Sequence, residues 1–112
     1  MIYLCELYPH TAHLYGSTIE ERALTNQYIS WYQSFFRPGM FKPMKLYIAG
    51  FLFKKKILQA HRDSLFAEMI EGIDKFNEIL AVNKSKFMTG DKVKIVDFLF
   101  FYEMTNLTLL DI

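Results

Sequence analysis

Between Asp63 and Val82 the apolar residues Phe66, Met69, Ile73, Phe76 and Leu80 recur at spacings of three and four, while Glu68, Glu71, Asp74, Lys75 and Glu78 fall off that stripe. Residues three and four apart stack on one face of an α-helix, whereas a half-buried strand needs alternation by two. No alternation of useful length occurs anywhere in the chain, and there are no internal repeats. The pattern therefore predicts an all-α fold, a single helix bundle.

Local signals divide the bundle. "STIE" at 17–20 reads as a capping box, with Ser17 accepting from the Glu20 N–H and Glu20 returning to the Ser17 N–H. Ile19, Ala23, Leu24, Tyr28, Trp31, Tyr32 and Phe35 then form an apolar face. "RPG" at 37–39 predicts the end of that helix, because Pro38 has no N–H and disfavours helical geometry at Arg37. Residues 40–58 are apolar but weakly periodic, which suggests a bent or broken helix with a basic tail, "FLFKKKIL". Asn83 closes the next helix, "TGDK" at 89–92 is a turn, and a last helix covers Ile95 to Leu107.

The chain has 112 residues, the size of one domain, and 52% of them are hydrophobic and 17% aromatic. That is more than a thin helical array can bury, so Tyr32, Phe36, Phe41 and Phe53 are expected among the exposed apolar residues, and self-association with them. A net charge of +1 suggests no polyanion, so neither nucleic acid nor membrane is an expected partner. The lone Cys5 excludes an internal disulfide and reads as an inert buried thiol in a reducing compartment. The N-terminus lacks signal-peptide features, and "LYIAGFLF" at 46–53 is far shorter than the ~20 residues of a membrane span. A cytoplasmic location is expected. Of the three histidines His10, His13 and His61, the first two share a loop with no Cys, Asp or Glu at metal-ligand spacing beside them, and no metal or other cofactor is expected. "KKK" at 54–56 reads as a solvated face, with nucleic acid or anionic lipid as the alternative. No phosphate loop, zinc motif or nucleophile elbow is present, and no catalytic residue is assigned.

One stretch carries further information. "KFMTGDKVKIVDFLFFYEMTNL", residues 86–107, resembles a segment of the cytosolic glutathione transferases, K-F-L-x-G-x-x-[ST]-[IL]-A-D-L followed by a helix. In that family the Ser or Thr caps a buried helix of the C-terminal domain, and the Asp three residues later completes the box. The matching residues are Asp97 and a hydrophobic staple of Val93 against Phe98, but the cap position holds Lys94. Lysine cannot accept the backbone N–H, so half of the box is lost, and its ammonium is expected near the positive end of the helix. "MIYLCELYP" resembles the end of the family's thioredoxin-like domain, and "LYGSTIEERALTNQYISWYQSFFR" and "FAEMIEGIDKFNEILAVNKSKFMTGD" resemble the first two long helices of its C-terminal domain.

The resemblance implies a division into 1–9, the tail of a thioredoxin-like domain, 10–16, a linker, and 17–112, an incomplete helical domain truncated at its C-terminal end. The spacing from Trp31 to Arg37 points to the theta class, in which an Arg six residues after a Trp faces the active site. The implied activity is conjugation of glutathione, as co-substrate, to a hydrophobic electrophile in detoxification, by a homodimer. The catalytic hydroxyl or thiol would lie outside this chain, which alone should be inactive. The implied binding residues are Arg37, Ser34, Trp31 and Phe35, with Ser34 one turn before Arg37 on the same face. Arg37 would neutralise charge on glutathione or a leaving group. Arg37 also suits a helix C-terminus, where the dipole favours a cation, and Trp31 and Phe35 also suit a core. A non-enzymatic interaction module of the same fold, as in translation-factor or synthetase assembly, and a truncated reading frame are the competing readings.

Overall fold

The computed structural model describes residues 1–54, 56 and 58–109. The elements are α1 (Ile2–Leu7), a 3-10 turn (Pro9–Thr11), α2 (Ala12–Tyr15), α3 (Ile19–Trp31), a π turn (Tyr32–Phe36), α4 (Arg37–Phe53), α5 (Gln59–Asn83) and α6 (Ile95–Leu109). No strand occurs among the described residues, so the all-α expectation holds. Phe36, Met40, Met69, Met88, Val96 and Phe100 form the main core with Tyr32. Phe100 sits at its centre, with the rings of Phe36 and Phe76 at 4.8 and 4.9 Å and those of Trp31 and Tyr32 both at 5.4 Å. A smaller cluster of Cys5, Tyr15 and Ile95 fixes α1 and α2 against the start of α6.

The α5 stripe is as the spacing predicts: Met69 is buried, Phe66, Ile73, Phe76 and Leu80 pack on the core, and the charged positions are exposed. Lys84 ends the helix in the left-handed region, φ 47°, just past Asn83. The turn before α6 is closed by Phe87 and Gly90, which exchange backbone hydrogen bonds of 2.9 and 3.3 Å, with Gly90 at φ 140°.

Three expectations are corrected. The start of α3 lies one residue later: Thr18, not Ser17, accepts from the backbone N–H of Glu21, not Glu20 (3.2 Å), and the Glu21 carboxylate receives the Ser17 N–H (2.7 Å). "GSTIEE" contains both an S-x-x-E and a T-x-x-E pair, and the second forms. The buried face of α3 is turned accordingly. Thr25, Tyr28 and Ile29 face inward, whereas Ile19 is 82% exposed, and Glu21 reaches Lys94, the residue before α6.

"RPG" does not stop the helix. A π turn over Tyr32–Phe36 precedes Pro38, the Arg37 N–H reaches back to the Tyr32 carbonyl, and α4 runs on to Phe53. The wider turn relieves the clash that a proline ring makes with the carbonyl four residues earlier, and Pro38 falls in the first turn of α4, where its missing N–H matters least. Gly39 then lets α4 approach α5 closely, since a Cβ there would stand 3.3 Å from the Glu68 carbonyl oxygen. Finally, Tyr32 and Phe36 are buried, Phe36 completely, because the π turn points both at Phe100; Phe41 and Phe53 are exposed as expected.

Candidate functional site

Two buried polar networks hang on α6. The first contains Lys94. Its backbone N–H donates to the Asp97 carboxylate (2.7 Å), the half of the box that lysine leaves intact, and Asp97 also receives the Met88 N–H (2.8 Å). The staple partners sit unequally: Val93 is half-buried and Phe98 is exposed. The side chain of Lys94 corrects expectation outright. It is 3% exposed and not solvated at the helix end. Its ammonium donates to the His13 carbonyl and to the Glu21 carboxylate, both at 2.9 Å. His13 lies in α2 and Glu21 in the first turn of α3, so each acceptor is one that helix-end charge favours. The Lys94 ammonium, followed by the Ser17 N–H, holds the Glu21 carboxyl below the usual carboxylate range.

The second network is built around Glu103, 5% exposed in the middle of α6. The Tyr32 hydroxyl donates to one carboxylate oxygen (2.8 Å), Arg37 Nε faces the same oxygen at 3.4 Å, and Asn106 donates to the other (3.1 Å). A buried carboxylate persists only with such partners. Burial pushes the Tyr32 phenol up to about 12, and its bond to the negative carboxylate acts in the same direction. Its proton is committed to Glu103, so Tyr32 is not a free hydroxyl for activating a thiol.

These groups line a groove of about 550 Å³ between the π turn, α4 and α6, with Phe41, Met44 and Leu99 as its apolar part. Arg37 is 59% exposed and presents its guanidinium to this groove. Ser34, Trp31 and Phe35 are not among its lining residues. Ser34 is exposed, and its hydroxyl donates to the Trp31 carbonyl at 3.5 Å. It does not share a face with Arg37 as a regular helix would have it, because the π turn shifts the register and stacks Arg37 over Tyr32. Trp31 lies against Phe100 and Phe35, partly buried, and Phe35 is 38% exposed. Sequence reasoning passed over Tyr32 as a polar group and Glu103 altogether. A second acid, six residues past Asp97 and deep in the apolar run "IVDFLFFYEMTNL", was the available signal, since an acid there needs a partner.

Elsewhere, Cys5 is buried and unpaired, as expected. Among the described residues no group of three or more His, Cys, Asp or Glu is placed to hold a metal, and no helix is long and apolar enough to cross a membrane.

No family model matches the chain, and no curated protein matches it. Among solved structures it is similar to a glutathione S-transferase from Pichia kudriavzevii (Issatchenkia orientalis), with a TM-score of 0.74 and 18% identity over 98% of this chain and 50% of that one. The chain thus spans about half the length of that transferase. At this identity the likeness defines architecture: the chain is an all-α bundle of the glutathione transferase C-terminal type.

Proposed function

We propose that this chain is the helical half of a glutathione transferase-type site, forming the wall that receives the electrophile. Residues 1–9 are the end of a thioredoxin-like domain in this reading, 10–16 the linker and 17–112 the helical domain, of theta-like class. The observation that supports it is the groove at Arg37: an exposed guanidinium, oriented from behind by the buried Glu103, beside apolar residues, in a bundle with the transferase fold. A guanidinium so placed suits the carboxylate of a glutathione-like tripeptide or the charge leaving an electrophile. Ser34, Trp31 and Phe35 lie outside the groove lining, so in this reading Arg37 is the residue of the four that meets the substrate. The thiol-activating hydroxyl comes from outside the chain, where a hydrogen bond to the sulfur lowers the thiol pKa. The functional unit is a cytoplasmic homodimer, with glutathione as co-substrate and no resident cofactor.

The test is a conjugation assay with a chromogenic electrophile, on the chain alone and on the chain fused behind a glutathione transferase thioredoxin-like domain. The expected result is no conjugation and no retention on immobilised glutathione for the chain alone, with conjugation by the fusion that Arg37→Ala lowers about tenfold, the loss of one charge-assisted hydrogen bond. Retention of the isolated chain, reversed by free glutathione, refutes the division of labour. A fusion that binds glutathione but never conjugates favours the assembly module.

A further inference from the structure

The net charge of +1 conceals a segregation. Residues 37–62 hold seven of the 13 Lys and Arg and none of the 12 Asp and Glu. Three of those cations have partners: Arg37 faces Glu103, Lys42 pairs with Glu68, and Arg62 donates to the Tyr47 hydroxyl (3.1 Å) while covering the rings of Tyr47 and Phe66. Lys45, Lys54 and Lys56 are exposed.

The same segment ends in an uncovered apolar tip. Tyr47 against Phe66, at 6.4 Å, is the last aromatic contact joining α4 to α5. Beyond it every described residue from Phe51 to Ser64 is exposed. Phe51 is 84% exposed, Leu52 64%, Phe53 68% and Leu58 79%. Lys54 ends α4 in the left-handed region, φ 49°, immediately after the three apolar residues. Large apolar side chains and lysines therefore share one protrusion, with Asp63, held by Gln59, as the first acid after it.

We infer that this tip, Phe51, Leu52, Phe53 and Leu58 with Lys54 and Lys56, docks on an anionic lipid surface. A bilayer interface satisfies both features at once. The apolar side chains enter the boundary between headgroups and acyl chains, while lysines keep their ammonium groups among lipid phosphates and carboxylates. A single-stranded polyanion would answer the lysines and leave Leu52 and Leu58 in water. A second copy would cover the apolar residues but bring lysines against lysines. The attachment is peripheral, in keeping with the absence of a spanning helix among the described residues.

Flotation of the full chain with vesicles of phosphatidylcholine, with or without phosphatidylserine, tests the inference. The expected result is partition onto the phosphatidylserine vesicles, weakened by added salt, and little onto phosphatidylcholine alone. Lys54→Gln with Lys56→Gln should lower partition by roughly 30-fold, about fivefold for each lysine. Phe51→Ser with Phe53→Ser, which leaves the charge unchanged, should lower it at least tenfold. All four side chains are exposed, and circular dichroism checks that the bundle persists in each variant. No flotation, equal flotation with both vesicles, or indifference to either double variant overturns the inference. Binding to poly-uridylate without flotation assigns the lysines to nucleic acid, and a lipid-free dimer abolished by the Phe51/Phe53 variant assigns the tip to a second copy; either also overturns it.

Discussion

Lys94→Ser is the substitution on which sequence and structure disagree in sign. As an isolated cap it should help: serine accepts the N3 backbone N–H and completes the box with Asp97, worth ~1 kcal/mol. The structure reverses this. The lysine stem is buried to 3% exposure, and serine removes three of its methylenes, roughly 2.4 kcal/mol at ~0.8 each. The His13 carbonyl also loses its donor, which costs ~1–3 kcal/mol for an acceptor left unpaired. The net is destabilisation by roughly 2–4 kcal/mol. Lys94→Met separates the contributions, since it keeps the stem and loses only the ammonium, and should cost ~1–3 kcal/mol. Urea denaturation monitored by circular dichroism gives the ranking wild type, then Met, then Ser. Glu21→Gln in the wild-type and Lys94→Met backgrounds measures the coupling of the pair, and the two changes should not be additive. Acid supplies a further check. Glu21 has a folded pKa below its ordinary 4.5, so its contribution is present above that pH and lost as pH falls through the folded value. The difference between wild type and Glu21→Gln should therefore vanish in strong acid. A rise in midpoint for Lys94→Ser, or a Met variant equal to wild type, would falsify the buried-lysine account.

Three further outcomes are expected. Tyr32 has a folded pKa of about 12 against an ordinary value of 10, so its contribution is intact below pH 10 and lost as pH rises through about 12; Tyr32→Phe should remove that alkaline step and cost ~1–3 kcal/mol at neutral pH, both readable by denaturation across pH. Gly39→Ala gains helix propensity of ~1 kcal/mol but sets a Cβ 3.3 Å from the Glu68 carbonyl oxygen; overpacking of ~1–3 kcal/mol should outweigh the gain and lower Tm. The outer face of α6 exposes Phe98, Phe101 and Tyr102, so the isolated chain should self-associate in light scattering, and Phe101→Ser should reduce the apparent mass.

What was legible in the sequence is what depends on local period. The α5 stripe, the boundaries near Asn83 and Ile95 and the turn at 89–92 follow from spacing, glycine and cap chemistry alone. Rules about single residues failed where a neighbour answered them. The cost of a proline counts a lost hydrogen bond and a clash, yet a π turn upstream of Pro38 removes the clash. Lysine at a helix start is unfavourable in solvent, but the acceptors of Lys94 lie 73 and 81 positions away in sequence, where no local rule looks. The Arg37 groove was half visible: the guanidinium was singled out, but its supporting carboxylate was not, and Ser34 was placed beside it only by assuming a regular turn.

The two networks also determine how α3 and α6 meet. Glu21 in α3 pairs with Lys94 just before α6, and Tyr32 in the π turn that continues α3 pairs with Glu103 in α6, so the partners follow the same order along both segments, which run parallel at these contacts. Neither contact adds much net stability by itself, because the buried charge in each, Lys94 or Glu103, was desolvated to form it. Their effect is on register. Sliding α6 by one turn would keep apolar side chains against apolar side chains, since Val96, Phe100 and Met104 lie four apart on its inner face, but it would leave Lys94 and Glu103 buried without partners. A slip would therefore strand two buried charges, the Lys94 ammonium and the Glu103 carboxylate, and an unpartnered buried charge is strongly destabilising. In a bundle so rich in interchangeable aromatics, charge rather than packing selects the alignment. The same alignment brings Glu103 behind Arg37, so the residue that orients the guanidinium in the groove is also one that fixes the fold.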